Sequence, residues 1–85
     1  MKEIGEVIHY FTDINVGAIR LIDHLEVGDE VKFEGVTTDF SQEIDSIQID
    51  EEPVEEAGPG DEIGTKVDQR VREGDKVYKV EGEDD

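Results

Sequence analysis

Two histidines and two serines are the first side chains of this sequence to consider for catalytic or metal-binding chemistry. His9 falls in a predicted strand and His24 in a predicted turn, and a chain without cysteine offers them no thiolate ligand. Since a zinc site needs about four tetrahedral ligands, we predict no metal and no other cofactor. Ser41 and Ser46 have histidines and many aspartates to pair with, but in so acidic a chain such pairings carry no specificity. The sequence therefore predicts a protein that is not an enzyme.

A consecutive run of rings in the first strand keeps a binding function open. His9, Tyr10 and Phe11 follow one another, so at least one aromatic side chain must point outward unless the strand is buried on both faces. An exposed Tyr10 would stack a base or anchor a peptide. The alternative is that Tyr10 closes the open end of a barrel.

Basic residues are concentrated near the C-terminus and form, with Tyr10, the candidate binding surface. Residues 65–80 have a net charge of +2, whereas residues 23–62 have a net charge of −14. The basic members of this candidate surface are Lys66, Arg70, Arg72, Lys76 and Lys79. Contact with RNA through this patch would require these side chains to share one face of the fold.

The overall charge indicates what kind of partner the protein attracts. A net charge of −17 over 85 residues repels phosphate backbones and membrane surfaces and attracts basic proteins. The alternative is a solvated acidic surface that only keeps the protein soluble and monomeric. We therefore expect a protein partner, no membrane contact, and a monomer when alone. The lack of cysteine, signal peptide and transmembrane segment predicts a cytoplasmic location.

Three Gly-Asp pairs divide the chain into strands and are predicted to be structural turns. Glycine adopts positive φ at little cost, and the aspartate carboxylate accepts a hydrogen bond from nearby backbone. Each pair is followed by a charged residue and then a β-branched one. The pairs are Gly28-Asp29, Gly60-Asp61 and Gly74-Asp75.

The elements that carry these residues are predicted to be strands. Apolar residues recur with a period near two, so we predict an all-β protein, a small six-stranded closed β-barrel over residues 1–80 with a disordered acidic tail at 81–85. Apolar groups on both faces of the first strand indicate either a strand bent around a closed barrel or a bulge near Gly5. Between Phe40 and Ile49 the apolar phase slips by one residue, which predicts a second bulge at Asp45-Ser46. Val71 is predicted to plug the core.

Three motifs in order resemble the second, β-barrel domain of elongation factor Tu and related translational GTPases. The first spans residues 25–31 (LEVGDEV), the second residues 57–64 (AGPGDEIG) and the third residues 71–77 (VREGDKV). The chain also resembles the C-terminal barrel of the collagenase-like peptidase family, some of whose members act in tRNA modification. That likeness includes residues 4–11 (IGEVIHYF) and 53–57 (PVEEA). At this length the chain is similar to small archaeal elongation-factor-like proteins.

The resemblance implies a non-enzymatic, translation-factor-like barrel that docks on a protein component of the translation or tRNA-processing machinery. Two alternatives stay open: an RNA-contacting module that uses the Lys/Arg patch at 65–80, or an accessory barrel that docks in trans on a peptidase-like catalytic domain. Glu51 and Glu62 stand where the translation-factor family has an arginine and an asparagine. Both place negative charge where an RNA end would lie, which favours a protein partner.

Overall fold

The computed structural model describes residues 1–80, and the acidic tail predicted at 81–85 lies outside these described residues. Residues 1–80 form ten β-strands. In chain order they are β1 (Lys2–Phe11), β2 (Val16–Leu21), β3 (Leu25–Glu26), β4 (Glu30–Glu34), β5 (Asp39–Glu43), β6 (Ile47–Ile49), β7 (Glu52–Val54), β8 (Glu56–Ala57), β9 (Glu62–Lys66) and β10 (Lys76–Lys79). Within residues 1–80, no helix has the length and apolar content that crossing a bilayer requires.

The strands form one large antiparallel sheet and one small one, which confirms the prediction of a small all-β fold. The large sheet has the order β5-β4-β10-β1-β2-β9-β6-β7, and β3 pairs with β8 in the small sheet. The predicted closed six-stranded barrel is wrong, because the large sheet ends at β5 on one side and at β7 on the other. Pro53 lies in β7 and has no N–H to donate, as expected for a residue in an edge strand.

The gap in the sheet arises where β5 ends. The backbone amide of Ile44 donates to the carbonyl of Asp29, and its carbonyl accepts from the amide of Gly28, both at 2.8 Å. These bonds continue the pairing of β4 with β5 beyond Glu43, whereas β6, which begins at Ile47, pairs with β9 and β7 instead. The one-residue bulge predicted at Asp45-Ser46 is therefore a three-residue break between β5 and β6.

Fifteen buried apolar side chains form a single hydrophobic core. Phe33 and Phe40 stack in it with ring centroids 5.1 Å apart. Val71 is 1% exposed, as predicted for a residue that plugs the core. The fifteen are Ile4, Val7, Ile19, Leu21, Leu25, Val31, Phe33, Phe40, Ile44, Ile47, Ala57, Ile63, Val67, Val71 and Val77.

The three Gly-Asp pairs form three turns of the same kind. In each turn the aspartate amide donates to the carbonyl three residues earlier, and the aspartate carboxylate accepts from the amide of that same earlier residue. Positive φ at the third position alone defines a type II turn, in which glycine is preferred. The glycine φ values are 100° at Gly28, 91° at Gly60 and 94° at Gly74.

Each turn also binds the backbone of one buried residue through two hydrogen bonds. The glycine amide donates to the carbonyl of that residue, whose own amide donates to the aspartate carbonyl, with distances of 2.8–2.9 Å. The three residues held in this way are Ile44 by the turn at 28–29, Leu21 by the turn at 60–61, and Val7 by the turn at 74–75. The repeated Gly-Asp motif thus ties three distant parts of the chain to the core.

Two irregularities in β1 decide which of its side chains point outward. The pairing of β1 with β10 shifts between Glu3 and Gly5, which confirms the bulge predicted near Gly5. The pairing with β2 shifts between Val7 and His9, so Ile8 has no partner in β2. A bulge of this kind turns a side chain toward the other face of a sheet. After this shift His9 and Phe11 are exposed, whereas Tyr10 is half-buried and packs against the core.

Candidate functional site

An open groove of about 720 Å³ lies on the outer face of β2 and β9, opposite the core, and is termed the outer groove. Most of its side chains are apolar, and three are carboxylates. It is lined by Ile8, Phe11, Ile14, Val16, Ala18, Gln48, Asp50, Glu51, Glu62, Ile63 and Gly64.

Small residues form the floor of the outer groove. Ala18 in β2 lies opposite Gly64 in β9, and Gly64 in turn lies opposite Gln48 in β6. A Cβ atom on Gly64 would come within 3.2 Å of Val16 Cγ1. The alternation along β2 places Val16 and Ala18 on the outer face while Gly17 and Ile19 are buried. The depression exists because these two central positions carry almost no side-chain volume.

The first wall of the groove is the end of β1 and the turn that follows it. Phe11 is 45% exposed and Ile14 is 56% exposed, large fractions for such apolar side chains. In the turn, the amide of Ile14 donates a hydrogen bond to the carbonyl of Phe11 at 3.3 Å. The next residue, Asn15, adopts the left-handed conformation with φ of 55°. The hydroxyl of Tyr10 donates to Asn15 Oδ1 at 3.0 Å, which fixes the turn against β1.

The second wall is the hairpin that joins β6 to β7. Ile49 pairs with Glu52, so the hairpin loop consists of Asp50 and Glu51 alone. Their φ values are 53° and 68°, which identifies a type I′ turn. Such a turn favours Asn-Gly or Asp-Gly, because a non-glycine residue at positive φ is strained. Glu51 therefore carries a backbone cost at the rim of the groove.

Three carboxylates, those of Asp50, Glu51 and Glu62, lie beside the apolar floor. Glu62 is paired with Arg20, whose Nη2 lies 2.9 Å from Glu62 Oε2. No ion pair within residues 1–80 neutralises Asp50 or Glu51. The outer groove thus offers apolar contact next to two carboxylates, which suits a ligand that has both apolar and cationic groups.

Three of the binding residues predicted from the sequence line one smaller depression of about 270 Å³. Arg70 lies over the ring of Tyr10, with its guanidinium carbon 6.0 Å from the ring centroid. Arg72 lines the same depression together with His9 and Glu73. His9 Nδ1 lies 3.4 Å from Glu73 Oε2. The structure therefore brings Tyr10, Arg70 and Arg72 together.

The three predicted lysines contact other parts of the surface. Lys76 Nζ lies 3.7 Å from Glu3 and 3.5 Å from Glu6. Lys79 Nζ lies 3.3 Å from Asp29, the aspartate of the first turn. Lys66 lines a depression beside the outer groove, with Asp13 and Asn15 among its neighbours. Carboxylates within the chain thus already balance the charges of Lys76 and Lys79.

Sequence reasoning missed the apolar part of the outer groove. The signal was present in β1, where apolar residues occur on both faces of the strand, with Ile8 and Phe11 on opposite parities. Ile14 and Ala18 could not be assigned to the same surface until β1, β2 and β9 were paired. The sequence indicates only that Glu51 and Glu62 are unfavourable for RNA binding, and both line the outer groove.

Within residues 1–80, no group of three or more histidine, aspartate or glutamate side chains is arranged to hold a metal ion. The two histidines instead form separate pairs with carboxylates. His24 Nε2 lies 2.6 Å from Glu56 Oε1, a contact between the residue that precedes β3 and the first residue of β8.

Comparison with known proteins relates the chain to peptidases. An uncharacterized protease of Methanocaldococcus jannaschii is 39% identical over 77 residues, which are 89% of this chain and 19% of that protein. A collagenase of Porphyromonas gingivalis is 31% identical over 80 residues, 92% of this chain and 22% of the collagenase. The chain thus spans about a fifth of the length of the curated relatives it matches. No protein-family model matches the chain.

Solved structures identify the fold. The C-terminal domain of a Geobacillus thermoleovorans protein named as a U32 peptidase superposes with a TM-score of 0.89 at 23% identity, over 93% of this chain and all of that domain (100%). A second crystal structure of that domain gives a TM-score of 0.88 over 94% of this chain. The fold is that of a U32 peptidase C-terminal domain. These findings support the predicted likeness to the collagenase-like peptidase family, and none of the named proteins is a translation factor.

Proposed function

We propose that this chain is a non-catalytic accessory domain of collagenase-like U32 peptidases, which docks on their catalytic portion. The observation that carries the proposal is that 93% of this chain superposes on the whole of a C-terminal domain from a protein named as a U32 peptidase. The sequence identity of 39% to the M. jannaschii protease supports the same assignment. The proposal holds whether the catalytic portion lies on the same polypeptide or on another one.

The surface of the domain supports a docking role. Contact surfaces between domains combine an apolar centre with a polar rim. The outer groove has this composition, since Ile14 and Phe11 expose large apolar areas beside the carboxylates of Asp50 and Glu51. The strong net charge of −17 adds a long-range field that favours a basic face on the partner.

The test is a binding measurement with the part of the M. jannaschii protease that this chain does not match. That part is produced separately and titrated with the 85-residue chain in a calorimeter at low ionic strength. We expect saturable binding of one chain per catalytic portion, weakened as salt rises because the field is screened. Titrations at two temperatures that both show no heat of binding at millimolar chain concentration would contradict the proposal.

A second candidate function is contact with RNA, restricted to Tyr10, Arg70 and Arg72 because the three lysines contact other parts of the surface. Arg70 lies over the Tyr10 ring and Arg72 lines the same depression, an arrangement of cation and aromatic ring that can stack a base. Filter binding with transfer RNA at several salt concentrations tests this candidate. Binding that persists at moderate salt and is lost in Tyr10→Ala would support it, whereas retention that vanishes at moderate salt would not.

A further inference from the structure

We infer that the outer groove receives a segment of the peptidase catalytic portion in which a large apolar side chain stands next to lysine or arginine. This inference rests on the proposed function and adds to it the place and the chemistry of the contact.

The apolar part of the segment follows from what the groove leaves exposed. Phe11 and Ile14 form one wall, and Ala18 and Gly64 leave the floor open. Single exposed apolar residues are ordinary on a protein surface, whereas Phe11 and Ile14 line one depression together. A volume of about 720 Å³ accommodates more than one side chain, so an extended segment fits better than a single anchoring residue.

The cationic part of the segment follows from the rim. Asp50 and Glu51 have no ion pair within the described residues, and residues 23–62, which include them, have a net charge of −14. A second copy of this chain would also have a net charge of −17, and repulsion between like charges opposes contact between two copies. Charge complementarity therefore selects a basic segment of a different protein surface over self-association.

The backbone of the hairpin gives an independent argument. Both residues of the type I′ turn have positive φ, and glycine would satisfy this geometry at position 51 without strain. The chain instead places a carboxylate there. Strained residues of this kind concentrate at functional sites, where the side chain rather than the fold benefits. Glu51 is thus in the position expected of a residue kept for contact with a partner.

The experiment compares two pairs of variants in binding to the catalytic portion of the M. jannaschii protease. Phe11→Ser with Ile14→Ser removes the apolar wall, and Ile22→Ser with Val36→Ser is the matched control, since both control residues are exposed apolar side chains outside the groove.

Asp50→Asn with Glu51→Gln removes the rim charges, and Glu43→Gln with Asp45→Asn removes the same number of charges elsewhere. Unfolding curves confirm that each variant is folded.

We expect the wall variant to weaken binding by at least about tenfold and its control by less than about twofold. The rim variant should weaken binding and flatten its salt dependence more than its control does. If the catalytic portion binds but the wall variant binds as tightly as the original chain, the inference about the groove is overturned and the proposed function stands. If the original chain itself does not bind, both fall.

Discussion

The carboxylate of Asp75 fills the space left by the missing side chain of Gly35: a Cβ atom on Gly35 would overlap Asp75 Oδ1. Asp75 is 4% exposed, and its other oxygen accepts a hydrogen bond from the amide of Arg72 at 2.8 Å. The connection between β4 and β5 thus packs directly on the third Gly-Asp turn, and the two cannot change independently.

Gly35→Ala should therefore destabilise the protein by about 2 kcal/mol, because the carboxylate must move and the buried hydrogen bond is weakened. Gly58→Ala is the control, since nothing lies within 4 Å of its Cβ position. Urea unfolding at neutral pH measures both. Equal stability of the two variants would show that Asp75 moves aside without cost.

The three turn glycines should respond alike to alanine. A Cβ on Gly28, Gly60 or Gly74 meets nothing within 4 Å, so the cost of each substitution comes only from the backbone at positive φ. We expect each alanine variant to lose about 1 kcal/mol of unfolding free energy. Gly28→Val should lose more, because β-branched side chains tolerate this conformation least. A variant of unchanged stability would mean that its turn does not need the left-handed conformation.

Local features of this fold were predictable, and closure was not. The Gly-Asp turns follow from four consecutive residues each, and the bulge near Gly5 follows from one strand. Closure of the sheet depends on the path of the chain after Ile44. The backbone of Ile44 is held by hydrogen bonds to Gly28 and Asp29, some fifteen residues earlier. The apolar periodicity of residues 40–49 does not contain these long-range hydrogen bonds, so the sequence predicts a closed barrel where the sheet is open.

The candidate site was harder to predict than the fold for the same reason. The outer groove is assembled from β1, β2 and β9 together with the β6–β7 hairpin, and the pairing of these elements has to be known first. The sequence pointed to the concentration of basic residues at 65–80, where two of the lysines are balanced by carboxylates of the chain. Charge counted along the sequence did not reveal which charges are paired.

Glu51→Gly should stabilise the protein by about 1 kcal/mol, because glycine relieves positive φ in the type I′ hairpin. Glu52→Gly, one residue later in β7, is the control and should destabilise, since glycine weakens a strand. Thermal unfolding measures both. A lower melting temperature for Glu51→Gly would show that the Glu51 side chain stabilises the fold through contacts that outweigh its backbone strain.

The stability of the protein should depend on the ionisation of Asp23 at acid pH. A hydrogen bond from Lys2, with Nζ 2.7 Å from Oδ2, and one from the amide of His24 hold the pKa of Asp23 below its ordinary value of 3.8. Because the pKa is lower in the folded state, this contribution is present above the unfolded pKa and is lost as pH falls through the folded pKa. Asp23→Asn should therefore reduce the loss of stability below about pH 4, as measured by urea unfolding from pH 2 to 6. An unchanged pH profile would contradict this role of Asp23.

The most direct test of the docking role is methyl NMR of the isoleucines. Ile8 and Ile14 line the outer groove, whereas Ile22 is exposed outside it, so one labelled sample contains both the probes and the control. The sample is titrated with the catalytic portion of the M. jannaschii protease. We predict saturable shifts of the Ile8 and Ile14 methyl signals with the Ile22 signal unchanged. Shifts confined to Ile22, or binding that leaves Ile8 and Ile14 unmoved, would contradict docking through this groove.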